Sequence, residues 1–324
     1  MKQRISIAMC TYNGAPYLQE QLSSILSQIR LPDELIICDD KSGDNTVDLV
    51  RKLASGATFP VRLVVNKIRL KSTKNFEKAI SLCSGNIIAL CDQDDVWHPE
   101  KLMRIEQVFV DFPHIGAVFT DGEICDASLN PLGYSLWESF GFNKKMQKKT
   151  VSHRRSFEVL IKRSVATGAT MAFRSEFKDL VLPIPNNWVH DGWIALLIAA
   201  VSDLTIIREP LIKYRQHNSN QIGALKKDFK EQLIMAQKTT SNDYWLGVKQ
   251  FIEAKERLLT TDRFVYHPPI ICRLSSKIRH LETRASLPKQ NLHRWIFVLK
   301  EFVRFRYHNY SNGWKSFAKD FFRI

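Results

Sequence analysis

Short apolar runs alternate with amphipathic stretches over the first 125 residues. Apolar runs of five or six residues between turn signals are typical of buried strands, and apolar positions that recur every three or four residues predict helices. The runs that predict strands are 5–10, 34–38, 61–65, 86–91 and 115–120. Strands and helices that alternate in this way favour a largely parallel sheet with helices on both faces. We therefore predict an α/β fold for this part of the chain.

Three residues are expected to mark helix starts. Asp44 and Asn75 can accept hydrogen bonds from the N–H groups of a first helical turn, and Pro99 suits a first turn because it lacks an N–H. The basic, weakly patterned segment 144–155 predicts a loop. Further on, the pattern predicts a strand over 167–173, a helix over 191–201, a strand over 204–207 and only helices beyond about 224.

The chain is predicted to divide into residues 1–224, which carry the alternating pattern, and a helical region over 225–324. The second region is basic, because the last 52 residues supply +9 of the formal net charge of +14. An apolar stripe at helical spacing runs through it, at Leu292, Trp295, Ile296, Leu299, Phe302 and Val303. Such a helix can lie on an anionic membrane surface, or pack against the rest of the chain or a second copy in a homodimer. Both interpretations stay open on the sequence.

Composition narrows the classes of protein. Of the 324 residues, 44% are apolar and 25% are charged, which suits a large core and argues against disorder. No apolar run reaches the roughly 18 residues that a membrane-spanning helix needs, and no cleavage-type segment follows the first strand. The six cysteines form no Cys-x-x-Cys pair and mostly lie in apolar runs, so we expect reduced thiols. We predict a cytoplasmic protein.

Carboxylates follow the predicted strands at the points where these end. Asp39 and Asp40 end the second strand, and a cluster of Asp92, Asp94 and Asp95 ends the fourth. Open α/β sheets bind their ligands at this edge, and aspartates packed this closely repel one another unless a cation or hydrogen-bond donors neutralise them. Hard oxygen ligands suit Mg²⁺ or Mn²⁺. A solvated acidic turn is the alternative, which the preceding apolar strand disfavours.

Five segments then resemble the family 2 glycosyltransferases, and in particular the bacterial rhamnosyltransferase-like branch of surface polysaccharide synthesis. They are 8–14 (AMCTYNG), 37–44 (ICDDKSGD), 90–97 (LCDQDDVW), 190–193 (HDGW) and 214–220 (YRQHNSN), the last followed by Gly223. They follow the family's order and spacing over residues 4 to about 225. The resemblance implies a GT-A fold, a Rossmann-like mixed sheet flanked by helices, with a helical appendage at the C-terminal side.

The resemblance also implies a reaction. A metal-dependent inverting enzyme would move rhamnose or another hexose from a UDP- or dTDP-sugar to a hydroxyl of a glycan acceptor. That acceptor would be linked to polyprenyl diphosphate, and the enzyme would be peripheral on the inner face of the cell membrane. The C-terminal helices would then contact anionic lipid.

A donor site is implied at the first two motifs. Thr11, Tyr12 and Asn13 would contact the nucleotide, with the Tyr12 ring as a stacking face for the base. Asp39 or Asp40 would accept the N3 proton of uracil or thymine.

A metal site is implied at the second acidic cluster. The candidate ligands of Mg²⁺ or Mn²⁺ are Asp94, Asp92 and His217, and Asp92 would also hold the ribose hydroxyls. Asp95 would support this site, and Arg215 would pair with a donor phosphate. A basic turn in water is the alternative for Arg215 and His217.

Asp191, at the start of a predicted helix, is implied as the general base that removes the acceptor proton. One departure from the family lies over 66–75, where members often carry a glycine-containing turn and this chain has no glycine. Arg69 or Lys74 in that segment can reach the donor.

Two other classes of protein remain as alternatives. Nucleotidyltransferases also use paired aspartates, but they need a triphosphate-binding loop, and the chain has no GxxxxGK[ST] motif. A basic nucleic-acid-binding protein is disfavoured because most of the positive charge lies in the last 52 residues, while acidic clusters end the strands. We therefore expect a nucleotide sugar, a glycan acceptor and no nucleic acid as partners.

Overall fold

The computed structural model describes residues 3–217, 220 and 239–322. Two parts of the fifth motif, residues 218–219 and Gly223, lie outside the described residues, as does the predicted boundary at 224/225. The structural statements below concern the described residues alone.

Nine strands form one mixed sheet in the described chain, in the order β3-β2-β1-β4-β8-β6-β9-β5, with β7 paired to β6. The strands are β1 (Ile5–Thr11), β2 (Glu34–Asp39), β3 (Val61–Val65), β4 (Ile87–Cys91), β5 (Val96–Trp97), β6 (Ile115–Cys125), β7 (Pro131–Ser135), β8 (Met171–Arg174) and β9 (Asp203–Arg215). The first four are mutually parallel, as predicted, whereas β8 runs antiparallel between β4 and β6. Every residue of β1 and β4 is buried, because helices cover both faces of the sheet there.

Helices connect and follow these strands. Those in the first part are α1 (Ala15–Leu26), α2 (Thr46–Ala54), α3 (Lys71–Leu82), α4 (Lys101–Asp111), α5 (Leu136–Ser139), α6 (Lys144–Thr150), α7 (Ser156–Leu160), α8 (Lys178–Val181) and α9 (His190–Val201). Those at the C-terminal side are α10 (Ser241–Leu259), α11 (Pro269–Ala285), α12 (Asn291–Val303), α13 (Arg306–Tyr310) and α14 (Trp314–Phe322).

Two local predictions are wrong. Asn75 does not begin a helix: α3 begins at Lys71, and Asn75 is buried inside it, where its amide donates to the Cys38 carbonyl at 2.7 Å. The start is set instead by Asp40, whose carboxylate accepts from the backbone N–H groups of Leu70 and Lys71 at 2.6 and 2.8 Å. A partner thirty residues away overrides the local capping signal.

The segment 144–155 is not all loop, because residues 144–150 form α6. The Asn143 side chain caps this helix by accepting from the Met146 N–H at 3.0 Å. Met146 then packs against the main apolar cluster, which stabilises a helix that the lysine-rich sequence alone does not suggest. Tertiary packing commonly decides the state of such a short segment.

The C-terminal helices share a core with the sheet. Ala254 and Leu258 of α10 and Leu274 of α11 belong to the same buried cluster as the apolar residues of α9. The next helices differ, because α12 buries Arg294, Val298 and Glu301. Its predicted apolar stripe mostly faces away from the described protein: Leu292, Ile296 and Val303 are 69%, 58% and 73% exposed.

Charged side chains fill the space between α11 and the last three helices. Arg284 forms two bonds with the Asp320 carboxylate, at 2.6 and 3.0 Å, and the Tyr307 hydroxyl donates to the same group at 2.7 Å. His280 bonds to Glu301 at 2.7 Å. Among the described helices, none combines the length and apolarity that crossing a bilayer requires.

Candidate active site

A cavity of about 860 Å³ opens at the carboxyl ends of β1 and β4, against the start of α9. Of the predicted site residues, those that line it are Thr11, Tyr12, Asp40, Asp92, Asp94 and Asp191. The others, Asn13, Asp39, Asp95, Arg215 and His217, lie behind or beside its wall and act on the lining residues. Parallel strands explain this convergence, because they bring the ends of distant segments to one edge of the sheet.

Only one of the two candidate base-reading aspartates reaches the cavity. Asp39 is fully buried, and its carboxylate accepts from the Thr11 hydroxyl at 2.7 Å and from the Ser42 hydroxyl and N–H at 2.6 and 2.8 Å. It therefore fixes the end of β1 against the loop after β2. Asp40 lines the cavity while it holds the start of α3.

Asn13 acts on the same loop. Its side-chain oxygen accepts from the Gly43 N–H at 2.8 Å, and its own N–H donates to the Ser42 hydroxyl at 2.9 Å. Its backbone is in the left-handed region, with φ of 48°, which asparagine tolerates better than most residues. The structure thus places Asn13 as a support for the loop after β2.

Gln93 is a site residue that motif reasoning missed. Its side-chain amide accepts from the Tyr12 N–H at 2.8 Å and donates to the Tyr12 carbonyl at 3.1 Å, so it clamps the end of β1 to the end of β4. A Cβ on Gly14 would lie 2.2 Å from the same amide oxygen, which explains the glycine there. The signal was present in the sequence, since Gln93 stands between two of the motif aspartates.

The glycine-free segment 66–75 follows an unusual backbone path. Lys71 has φ of 65°, a left-handed conformation in which glycine is unstrained and lysine is not. Next to it, the Arg69 guanidinium lies 3.8 Å from the centroid of the Tyr12 ring and lines the cavity. Lys74 pairs instead with Glu77 at 2.7 Å. Of the two predicted donor contacts in this segment, only Arg69 is at the cavity.

The acidic cluster after β4 is electrostatically strained. Burial, together with repulsion from the neighbouring carboxylates of Asp94 and Asp191, raises the pKa of Asp92 to about 7. Burial also raises the pKa of Asp95, again with Asp94 and Asp92 adding to the effect. Asp95 accepts from the Arg215 N–H at 3.1 Å, while its second oxygen has no partner among the described residues. A cation would relieve this repulsion.

Asp94 and His217 are brought together as predicted. The His217 Nε2 lies 2.9 Å from a carboxylate oxygen of Asp94, and the Asn220 amide lies 3.3 Å from the same oxygen. The His217 ring stacks on Tyr17, with centroids 4.3 Å apart. In the described part of the chain, however, no three His, Cys, Asp or Glu side chains are arranged to hold one metal ion, so Asp92 does not complete a three-residue set.

Arg215 does not face the cavity. Its guanidinium is buried and donates to the Asp94 carbonyl at 2.7 Å, to the Ala127 carbonyl at 2.6 Å and to Glu20 at 2.9 Å. These acceptors occupy its hydrogen-bonding edges. The Arg215 side chain therefore holds the Asp94 backbone in place, whereas the resemblance implied a direct contact with a donor phosphate.

A second buried cation behind the cluster was missed. Lys101 is fully buried; its amine donates to the Ala169 carbonyl at 2.6 Å and lies 3.8 Å from the centroid of Trp97. Burial lowers its pKa to about 7, and the nearby Asp95 and Asp92 oppose that shift. No sequence signal identifies it, because a lysine in a first helical turn is ordinarily solvated.

Asp191 is held at the other side of the cavity. Its carboxylate accepts from the Gly168 N–H at 3.0 Å and from the Gly192 N–H at 2.5 Å. The preceding His190 is buried, stacks on Phe76 with centroids 3.9 Å apart, and has its pKa lowered by burial. His190 therefore packs the helix start against α3, and both His190 and Asp191 line the cavity.

Solved structures with the same architecture identify the class of fold. Residues 1–349 of S. aureus TarS, determined in complex with UDP-GlcNAc, match with a TM-score of 0.61 at 14% identity, over 98% of this chain and 89% of that one. The mannosyltransferase PcManGT from Pyrobaculum calidifontis, in complex with GDP-Man and Mn²⁺, matches with a TM-score of 0.54 at 15% identity, over 94% and 76% of the two chains. The predicted GT-A fold is therefore confirmed.

The family follows from sequence. The model of glycosyl transferase family 2 matches residues 6–174, more than half of the chain, and the chain belongs to that family. An uncharacterized glycosyltransferase of Nostoc sp. is 28% identical over 67% of this chain, and the dTDP-rhamnosyl transferase RfbG of Shigella flexneri is 27% identical over 67%. The matches span 66% and 74% of those two proteins. The prediction of a family 2 glycosyltransferase is confirmed, and the nucleotidyltransferase and nucleic-acid-binding alternatives are set aside.

Proposed function

We propose that this chain catalyses metal-dependent, inverting transfer of a hexose from a UDP- or dTDP-sugar to a hydroxyl of a lipid-linked glycan. The observation that carries the proposal is the placement of Asp92, Asp94 and Asp191 around one cavity. Two of these carboxylates follow a strand that ends at the cavity, and the third begins the helix opposite. This separates a donor-binding side from a side where an acceptor hydroxyl is activated.

The donor side is formed by the ends of β1 and β2. Tyr12, with Arg69 over its ring, offers an aromatic and cationic surface for a nucleobase, and Asp40 offers a carboxylate at the cavity wall. A UDP-sugar donor is supported by the UDP-GlcNAc complex of TarS, and a dTDP-sugar donor by the name of RfbG. Both bases present the same N3 proton to Asp40.

The residues after β4 fit a divalent cation. Asp94 and His217 meet at 2.9 Å, and the repulsion that raises the pKa of Asp92 falls when a cation is present. Mg²⁺ typically takes one or two carboxylates and completes its ligands with substrate phosphates, so a two-residue set is sufficient. When bound, the metal stabilises negative charge on the departing nucleoside diphosphate. The Mn²⁺ in the PcManGT complex supports this proposal.

Asp191 is the proposed general base. The Gly168 and Gly192 N–H groups orient its carboxylate at the cavity. The acceptor hydroxyl would give its proton to Asp191 as its oxygen attacks the anomeric carbon from the face opposite the leaving diphosphate. A single displacement with one base inverts the anomeric configuration.

Attachment to an anionic membrane surface is the proposed role of α12. Its outward face carries Leu292, Ile296 and Val303 in the open, and the last 52 residues supply +9 of the net charge. Apolar side chains that insert between headgroups, together with basic residues that attract anionic lipid, are the two contributions such binding needs. A peripheral position would bring the cavity to a lipid-linked acceptor.

The test combines nucleotide binding with Asp94→Ala. Calorimetry with UDP and with dTDP, each with and without Mn²⁺, should show metal-dependent binding to the wild type. Asp94→Ala should abolish it, because neither water nor a carbonyl replaces the lost charge. Asp48→Ala, which removes an exposed carboxylate on α2, is the matched control and should bind as the wild type does. Equal affinity of Asp94→Ala and wild type would refute the metal assignment.

A further inference from the structure

The cavity has a basic wall that the donor chemistry does not use. Lys162 and Arg163, which follow α7, and Lys277 of α11 line the same cavity as Asp191. Lys162 and Arg163 lie on the segment that leads to Gly168, whose N–H holds the Asp191 carboxylate. The basic wall and the proposed base are thus joined through one segment of the chain.

Within the described part of the chain, the basic side chains of Arg163 and Lys277 bond to carbonyl and amide oxygens. Arg163 donates to the Phe140 carbonyl at 3.2 Å and to the Asn312 side chain at 2.5 Å. Lys277 donates to the Tyr310 carbonyl at 2.7 Å, which uses one of its three N–H groups. Among the described residues, neither these two nor Lys162 forms an ion pair with Asp or Glu.

The surrounding charges add to the positive field. Burial lowers the pKa of Lys162, and repulsion from Lys149 and Arg163 lowers it further, against the attraction of Glu158. The nearby Glu158 is already shared among Lys149, Arg155 and Arg273. For Lys277, burial lowers the pKa to about 7, with repulsion from Arg284 and Lys162 as further causes. A bound anion would offset this repulsion and favour the charged form of both lysines.

We infer that Lys162, Arg163 and Lys277 bind a phosphate or diphosphate group of the acceptor and so direct the acceptor hydroxyl to Asp191. This inference rests on the proposed function and names the acceptor class as a phosphorylated glycan. Several cations spread along one wall suit a phosphate, which carries up to two charges and three acceptor oxygens. The donor diphosphate belongs to the acidic side, where a metal would balance it.

The C-terminal helices thereby form part of the acceptor site. Lys277 belongs to α11, and the carbonyl that fixes its amine belongs to Tyr310 of α13. Arg163 is likewise fixed by Asn312, just before α14. The region predicted as a membrane or oligomer contact therefore also holds two of the three cations in place.

The experiment compares two ligands that differ only in the phosphate. Glucose 1-phosphate and glucose are titrated into the full chain, saturated with Mn²⁺ and whichever of UDP or dTDP binds. The wild type should bind glucose 1-phosphate and not glucose, and binding should weaken with added salt because the attraction is electrostatic. Lys162→Gln/Arg163→Gln should lower the affinity for glucose 1-phosphate at least tenfold and leave nucleotide affinity unchanged.

A matched control and a second source of phosphate complete the test. Arg51→Gln/Lys52→Gln removes an adjacent exposed pair on α2 and should bind glucose 1-phosphate as the wild type does. Vesicles of phosphatidylglycerol form a separate arm. If the Lys162/Arg163 variant loses vesicle binding but keeps glucose 1-phosphate binding, the wall contacts lipid headgroups and the inference is overturned.

Two other results are decisive. Wild-type protein that ignores glucose 1-phosphate, or a Lys162/Arg163 variant that binds it equally well, overturns the inference while metal-dependent nucleotide binding persists. If instead neither nucleotide binds to the wild type, the proposed function fails on its own. The glucose 1-phosphate titration of nucleotide-free protein then still decides whether the wall binds phosphate.

Discussion

Two helices of similar length, α9 and α12, use their apolar residues in opposite ways. α9 buries nine of its twelve residues, nearly all of them apolar, against the sheet. α12 buries Arg294, Val298 and Glu301 and turns Leu292, Ile296 and Val303 outward. An apolar stripe in a sequence therefore predicts a helix and a face but does not say what covers that face.

The same contrast extends to what holds each region together. The sheet is stabilised by burial of apolar side chains on both of its faces. The last helices are joined by polar contacts: the buried ion pair of Arg284 with Asp320, and a hydrogen bond between Glu301 and His280, whose pKa burial lowers. A buried ion pair adds little net stability, since desolvation of both charges offsets most of their attraction. The sheet region is therefore held mainly by apolar packing, to which α10 and α11 contribute, whereas polar contacts join α11 to the last three helices.

The largest expected effect is on the rate of sugar transfer, after a substitution at the cavity. Asp191→Asn keeps the shape and an acceptor oxygen for one of the Gly168 and Gly192 N–H groups, which bond to different oxygens of Asp191, but loses basicity. Transfer should fall by about 10²- to 10⁴-fold, the usual contribution of a general base, with unchanged nucleotide affinity. Steady-state transfer rates and calorimetry measure the two quantities. The control is Asp179→Asn, which changes an exposed aspartate of α8. If Asp191→Asn transfers sugar at the wild-type rate, Asp191 is not the general base.

The next largest expected effect is on the stability of the C-terminal helices, whose interior is polar. Asp320→Asn leaves the buried Arg284 guanidinium without its counter-charge and should cost about 3–5 kcal/mol, the usual penalty for breaking a buried pair. Hydrogen exchange should show the loss in α11–α14 and not in β1–β4. Asp262→Asn, exposed in the same region, should change nothing. A loss of protection spread over the sheet would contradict the division drawn above.

Substitutions on the outward face of α12 should have the smallest effect on stability. They should still clearly reduce binding to a membrane surface. Ile296→Ser/Leu299→Ser removes two exposed apolar side chains, so the melting temperature should stay unchanged. Sedimentation with phosphatidylglycerol vesicles should fall at least tenfold, because each such side chain contributes about 1.5–3 kcal/mol when buried. The matched control is Ile29→Ser/Val265→Ser, which also removes two exposed apolar side chains. Aggregation or a lower melting temperature of the α12 variant would show that this face packs on protein.

Sequence reasoning predicted the strands well because β1, β2 and β4 are continuous apolar runs bounded by polar turns. It also placed the carboxylates at one edge, since parallel strands leave no other arrangement. It failed where a distant partner decides the local state. Asp40 sets the start of α3 from thirty residues away, and no local pattern contains that information.

The roles of individual site residues were harder to predict for the same reason. Arg215 is turned from the cavity by Glu20, 195 positions earlier in the chain. Asp39 and Asp40 are adjacent in sequence, yet their surroundings differ. The loop after β2 donates hydrogen bonds to the Asp39 carboxylate, whereas the Asp40 side chain lines the cavity. Lys277 joins the cavity from a helix that carries no family motif. Spacing identifies which residues gather, and long-range contacts decide which of them face a ligand.

The bond between Lys277 and the Tyr310 carbonyl has a consequence for the order in which the enzyme is assembled during its synthesis. Chains are made from the N-terminus and fold as the parts become available. Residues up to 220 contain the proposed donor wall, whereas Lys277 of the opposite wall is made later and the segment that anchors it is made later still. We expect a growing chain to acquire its nucleotide-binding surface first and to close the other side of the cavity last.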